Sequence, residues 1–169
     1  MNWSISFSKY ERLLVNYYST VDKEFMSNVA IARQILQEEK NLQEIVQLVG
    51  KDSLGEEQKI SLEIAKLLRE DYLQQNGFSN YDYTCPLVKC AGMIRNFVYF
   101  YTMSQKAVKS KNTDTQITWN KIAKTLRNDY VGLTDMKFIL PNQDEQIIKQ
   151  KLDELHHSIT KNFNELMQS

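Results

Sequence analysis

The residues able to do chemistry are few. His156 and His157 are the only histidines and they are adjacent. Neighbouring helical positions point about 100° apart, so one metal ion cannot take both, and they read as solvated surface histidines. Glu38-Glu39 and Glu56-Glu57 are paired carboxylates; solvated charge is a better reading of them than a catalytic acid pair. There is no GxxxxGK[ST] loop, whose backbone amides and lysine would cradle phosphates. A GxSxG elbow and an HExxH zinc helix are likewise missing. Phe97, Tyr99, Phe100 and Tyr101 could line a ligand pocket, but large aromatics at this density favour core packing. Cys85 and Cys90 are too few for a disulfide framework and suit a reducing compartment. By residue chemistry alone there is no catalytic constellation and no metal site, which points to a structural or interaction module.

The elements that carry these residues are helices. The chain has 169 residues, 42% of them hydrophobic, with five glycines and two prolines. That is enough apolar material for one cored domain and too few turn formers for a β fold. The net charge of zero marks no nucleic-acid surface. The longest apolar stretch, near residues 97–103, falls far short of the roughly 20 residues that span a bilayer. The opening residues lack the charged and apolar regions of a signal peptide.

Helical spacing of apolar residues predicts an all-α bundle of about six or seven helices over residues 1–169. Tyr10, Leu13, Leu14, Tyr17 and Tyr18 begin it. Ala30, Ile31, Ile35 and Leu36 continue the pattern to a polar run at residues 37–40. Leu42, Ile45, Val46, Leu48 and Val49 then form a short apolar helix stopped by Gly50. Ser53 and Glu56 have the spacing of a capping box, and Ile60, Ile64, Leu67, Leu68 and Tyr72 give the stripe of the next helix. Residues 50–55 are therefore the turn of a projecting helical hairpin. Pro86 suits the first turn of a further helix, whose Leu87, Ala91, Ile94, Phe97, Val98 and Tyr101 make it apolar nearly all round and central. Residues 106–114 are a polar connection. Ile117, Trp119, Ile122, Ala123 and Leu126 mark another helix, residues 136–141 read as extended, and Ile148, Leu152, Leu155, Ile159 and Leu166 stripe a final amphipathic helix.

The stretch Asn41-Leu42-Gln43-Glu44-Ile45-Val46-Gln47-Leu48-Val49-Gly50 resembles the helix that leads into the shaft-contacting hairpin of rotary ATPase catalytic subunits. Lys51-Asp52-Ser53-Leu54-Gly55-Glu56-Glu57-Gln58 falls where the ATP synthase beta subunit carries its acidic DELSEED loop. Asp52, Leu54, Glu56 and Glu57 match that pattern, while Ser53, Gly55 and Gln58 depart from it. Leu68-Arg69-Glu70-Asp71-Tyr72-Leu73-Gln74-Gln75-Asn76-Gly77-Phe78, followed by Tyr81-Asp82-Tyr83-Thr84-Cys85-Pro86, looks like the vacuolar type specifically. The opening Asn2-Trp3-Ser4-Ile5-Ser6-Phe7-Ser8-Lys9-Tyr10, with Thr118-Trp119 and Met136-Lys137-Phe138, fits the same family. The resemblance runs from residue 2 to about residue 141, leaving residues 142–169 as a C-terminal helix outside it.

The resemblance to catalytic subunits of vacuolar-type proton-pumping ATPases implies a C-terminal domain cut from a longer chain, with Met1 an added start and the nucleotide domain upstream. It implies no cofactor in this piece and ATP with magnesium in the parent protein. Tyr72, Gln74, Gln75 and Phe78 would form the adenine side of the nucleotide site. Asp52, Ser53, Leu54, Gly55, Glu56 and Glu57 would touch the rotor. Cys85 occupies the position reported to pair reversibly with a P-loop cysteine. The implied partners are the B subunits that alternate with the catalytic ones in the head ring and the D subunit of the central shaft, with no nucleic acid and no membrane insertion. The implied place is the cytosolic face of vacuolar or other endomembranes. The expected role is to couple ATP binding and hydrolysis to shaft rotation, and the isolated piece should hydrolyse no ATP. A contrasting expectation is an independent helical adaptor, with Leu155 and Ile159 on the last helix as its interface.

Overall fold

The computed structural model describes residues 6–110 and 117–168. Met1, residues 2–5 of the opening motif, and residues 111–116 of the polar connection lie outside it. Among the described residues there are seven α-helices and no strand, in agreement with the all-α reading. They are α1 (Glu11–Val21), α2 (Phe25–Val49), α3 (Glu56–Leu67), α4 (Leu87–Lys109), α5 (Trp119–Thr125), α6 (Arg127–Asp135) and α7 (Glu145–Gln168). Three short turns of other pitch punctuate them: Lys51–Ser53, Leu68–Leu73 and Met136–Phe138.

α4 is the axis. It packs against α2, α3 and α7 and also touches α1, α5 and α6. Its Ala91, Met93, Ile94, Phe97, Val98, Phe100, Met103 and Ala107 are all buried, as its all-round apolar sequence requires. α7 lies closest to it, because Gly92 removes the side chain that would collide there. A Cβ at Gly92 would sit 2.6 Å from Leu152 Cδ1. Asn96 of α4 donates to Leu152 O at 2.9 Å, so this close approach is hydrogen-bonded as well as packed.

Several sequence expectations are corrected. The polar run at residues 37–40 does not end a helix; α2 continues through it to Val49. Glu39 is buried rather than solvated, and it pairs with Arg69 from the end of the hairpin's second helix. Glu38 accepts from Ser61 Oγ at 3.0 Å. A carboxylate inside the helical stripe is stable here because its partners come from the facing helix. Gly50 does stop α2, in the left-handed region at φ 85. The cap sits two residues later than expected and only half of a capping box forms: Gln58 Oε1 accepts from Gly55 N at 3.0 Å, while Gly55, the cap of α3, has no side chain to return the bond. Ser53 instead donates to Gly50 O at 2.7 Å within the turn. Residues 136–141 are not strand-like: Met136–Phe138 is a tight helical turn closing α6. His156 is half-buried against Tyr99, with ring centroids 4.2 Å apart. Ile159 is buried and Leu155 packs over Gly132, so the last helix spends its apolar stripe inside the bundle. The adaptor interface expected at Leu155 and Ile159 is therefore not favoured.

α1 forms as its spacing predicts, yet none of its residues is buried. It is tied down by Arg33 to Glu11 at 3.1 Å and by Tyr18 against Phe25, leaving Leu13 and Tyr17 exposed.

Candidate functional site

Two separate places carry the sequence-predicted site residues. They lie at opposite ends of α3.

The first is the turn between α2 and α3. Asp52, Ser53, Gly55 and Glu57 are exposed there, and Glu56 is half-buried. Leu54 is different: it is 4% exposed and acts as a plug for the turn. Glu56 faces back into the fold, where it accepts from Trp119 N at 2.6 Å and pairs with Lys59 at 2.7 Å. Burial alone would raise its pKa, but the bonds from Lys59 and Trp119 outweigh that and hold it below the ordinary carboxylate value. Glu57 pairs with Lys109 at 3.0 Å, and Gln105 Nε2 donates to its carbonyl at 3.0 Å. The tip is thus braced by α4 and α5. Its outward surface includes the last turns of α2, where Ile45, Leu48 and Val49 are exposed apolar residues.

The second place is the exit of α3. The helix widens into a π turn over Leu68–Leu73, closed by Gln74 N donating to Arg69 O at 2.9 Å. Such turns recur at functional sites, because one extra residue per turn re-aims the chain beyond it. Tyr72 points inward. Its ring meets Phe97 edge-on at 6.3 Å, and its hydroxyl lies 2.8 Å from Cys90 Sγ. Burial, with Cys90 beside it, pushes the Tyr72 hydroxyl well above its ordinary pKa, so it stays protonated. Another part of Tyr72 lines a half-open cavity of about 330 Å³ with Leu36, Arg33, Leu68, Leu73 and Ile94.

Gln74, Gln75 and Phe78 point the other way and are exposed, Phe78 at 103% of its full area. A free aromatic ring on a floppy loop would mean little, but this loop is braced. Asp82, itself buried, accepts from Asn76 N at 3.1 Å. Asn76 Oδ1 accepts from Phe78 N at 3.1 Å. Lys137 Nζ donates to Gln74 O at 2.8 Å and to Glu70 O at 3.0 Å, and lies 3.6 Å from Asp82. Lys89, 1% exposed, gives all three ammonium protons to carbonyls: Tyr81 at 3.0 Å, Lys137 at 2.8 Å and Ile139 at 2.7 Å. Burial lowers its pKa, which the neighbouring Asp82 opposes. Asp82, Lys89 and Lys137 were missed by sequence reasoning. The available signal was a lysine set among apolar residues in the first turn of the central helix, which must find acceptors where it lies.

Among the described residues no group of three metal-ligating side chains occurs, and no helix is long and apolar enough to cross a membrane.

The sequence matches the family model of the C-terminal domain of V and A type ATP synthase over residues 14–118. It is 45% identical to the V-type proton ATPase catalytic A subunit of Dictyostelium discoideum over 170 residues, covering 99% of this chain and 28% of that protein. Against its counterpart in Trypanosoma congolense the identity is 45% over 168 residues, with coverage of 99% and 28%. Isoform 1 of the same protein from Drosophila melanogaster is 46% identical over 168 residues, with coverage of 98% and 27%. The chain therefore spans less than a third of the length of these relatives. It covers the braced hairpin and the aromatic loop alike, and it belongs to the family of C-terminal domains of V- and A-type ATP synthases.

Proposed function

We propose that this chain is the domain through which the catalytic A subunit of a V-type proton ATPase links its nucleotide site to rotation, with residues 1–141 as the family-like bundle and residues 142–169 as its C-terminal amphipathic helix. The observation that carries the reading is Phe78, a fully exposed ring held on a loop pinned by Asp82 and Lys137. A fixed aromatic face without a protein partner suits a base stacking on it, and pre-organisation lowers the entropy lost on binding. Gln74 and Gln75 beside it supply exposed amide donors and acceptors, and Tyr72 anchors the turn from below. ATP with magnesium would be held mainly by an upstream nucleotide domain of the parent protein.

At the far end of α3, the turn of residues 50–57 would meet the D subunit of a central shaft, with a B subunit as the neighbour in the head ring and the assembly on the cytosolic face of an endomembrane. Exposed Asp52, Leu48 and Val49 suit a contact that pushes by shape more than by charge. One helix, α3, joins the two places, so a shift at the base end is carried to the tip as a rigid displacement.

The test uses the parent enzyme. Phe78→Ala should raise the KM for ATP by about 5- to 150-fold, the equivalent of about 1–3 kcal/mol of lost stacking. Val49→Asp at the tip should leave ATP hydrolysis in the free head intact while lowering proton pumping per ATP. An unchanged KM removes the base-stacking role; unchanged coupling removes the tip. Leu54 is unsuited to this purpose, because its burial makes Leu54→Asp a folding lesion.

A further inference from the structure

The half-open cavity of about 330 Å³ lies between α2, α4 and the π turn. Helical spacing builds its walls. Val29, Ala32 and Leu36 stripe one side of α2, Leu68 and Leu73 come from the π turn, and Ile94 comes from α4. Tyr72 adds part of its ring and turns its hydroxyl away to Cys90. The neighbouring chain does not fill the space: Phe7 borders it yet is 77% exposed. Water against such walls lacks hydrogen-bond partners, so an apolar body that displaces it is favoured.

Among the described residues around the cavity, Arg33 alone carries a charge. Its side chain is 45% exposed, so it stands at the rim rather than in the floor. It spends only Nη1 on Glu11, at 3.2 Å to Oε1 and 3.1 Å to Oε2. Nη2 and Nε are committed to no acceptor among the described residues, and a guanidinium edge with free N–H groups matches the two oxygens of a carboxylate.

We propose that this cavity is a binding site for a small amphipathic monocarboxylate, its apolar tail between Val29, Leu36 and Ile94 and its carboxylate on Arg33. The tail would pack on Leu73 and Tyr72, the inner side of the turn that Gln74 N closes by donating to Arg69 O at 2.9 Å. A filled cavity opposes opening of that turn, so occupancy and the order of the Gln74 segment are linked. The site stands on the cavity and on Arg33, and it is independent of any base stacking on Phe78.

The test is an NMR titration of the whole chain, labelled with nitrogen-15, with octanoate and with 1-octanol as its uncharged counterpart. Octanoate should give saturable shifts centred on the amides of Val29, Arg33, Leu73 and Ile94. It should bind about 2- to 5-fold more tightly than octanol, the worth of one partly exposed charge pair. Arg33→Gln should erase that difference. Glu11→Gln cuts the same tie to α1 but leaves the arginine free, and it should keep or widen the difference; a loss in both variants would mark Arg33 as merely structural and overturn the proposal. Val29→Phe, entering from a half-buried position, should abolish saturable binding while the rest of the spectrum reports an intact fold. At saturation the Gln74 amide should exchange with deuterium more slowly than in the free chain. Shifts that fail to saturate, shifts centred on the exposed Leu13 and Tyr17 of α1, equal affinities for octanoate and octanol, or an unchanged Gln74 exchange rate would each overturn the proposal.

Discussion

His156 Nδ1 lies 3.0 Å from Asn96 Oδ1 and donates to it. The direction is set by Asn96, whose amide nitrogen is committed to Leu152 O at 2.9 Å, leaving its oxygen as the acceptor. A neutral ring with its proton on Nδ1 satisfies the site. Burial, then the nearby Arg95 and His157 charges, lower the His156 pKa below 6.5.

A pH dependence results. The folded chain resists protonating His156, whereas the unfolded chain binds that proton near pH 6.5. The unfolded state therefore holds more protons below that value, and stability falls as the pH drops through the interval from about 6.5 down to the lowered folded pKa. His156→Gln should flatten this part of the profile. Urea midpoints of both chains between pH 7.5 and about 5.5 should diverge, with the wild type losing more on acidification; parallel profiles would refute the assignment.

The two glycines that face α7 should differ. A Cβ at Gly92 meets Leu152 at Cδ1, Cβ and Cγ, at 2.6, 3.2 and 3.3 Å, and Leu152 is 1% exposed with nowhere to turn. Gly92→Ala should cost about 1–3 kcal/mol despite the better helix propensity of alanine. At Gly132 the collision is with one methyl of the half-buried Leu155 at 2.7 Å, the next contacts being 3.6 and 3.8 Å. Gly132→Ala should be near neutral, because that methyl can swing away. Denaturant unfolding of the pair checks the contrast.

Lys89→Met keeps much of the volume but orphans three carbonyls, those of Tyr81, Lys137 and Ile139. At about 1–3 kcal/mol for each unsatisfied buried group, the loss should exceed about 3 kcal/mol. Hydrogen exchange should report it first in the residues around Asn76 and Phe78, whose brace depends on the same layer. Uniform protection in the variant would contradict this.

Glu56→Gln should retain the bond to Trp119 N but lose the charge pair with Lys59, costing less than Glu56→Ala, which also leaves the first amide of α5 without its acceptor at about 1 kcal/mol, Thr118 remaining as the cap. Thermal melts of both variants separate the amide bond from the charge pair. The pure chain should show no ATP turnover, since the sequence has no phosphate-binding loop; turnover that survives purification would count against the proposed division of labour.

The hairpin, the stop at Gly50 and the central place of α4 were legible in the sequence, because periodicity and a single glycine determine them locally. The features that were not legible depend on partners distant in the chain. Glu39 reads as a surface carboxylate until Arg69 is brought to it. Lys89 reads as a blemish in an apolar helix until the loop of residues 78–84 and the turn after α6 deliver three carbonyls. The cap moved from Ser53 to Gly55 because Gln58 reaches the glycine amide, a competition that spacing rules do not rank. His156 was misread for a similar reason: its helix looks charged, but that one face is turned to Asn96 and Tyr99. For the site, Tyr72 and Phe78 came from the resemblance, and their opposite orientations came only from the backbone between them.

The π turn at Leu68–Leu73 sets those orientations, and it makes the loop a matter of register. Each residue of an α-helix advances the chain by about 100° around the axis. Deleting a single residue from this turn would let α3 run on as ordinary helix, yet everything after it would be phased to a different side. Phe78 would keep its identity and lose its address. Length, at this point in the chain, is as strict a requirement as residue type.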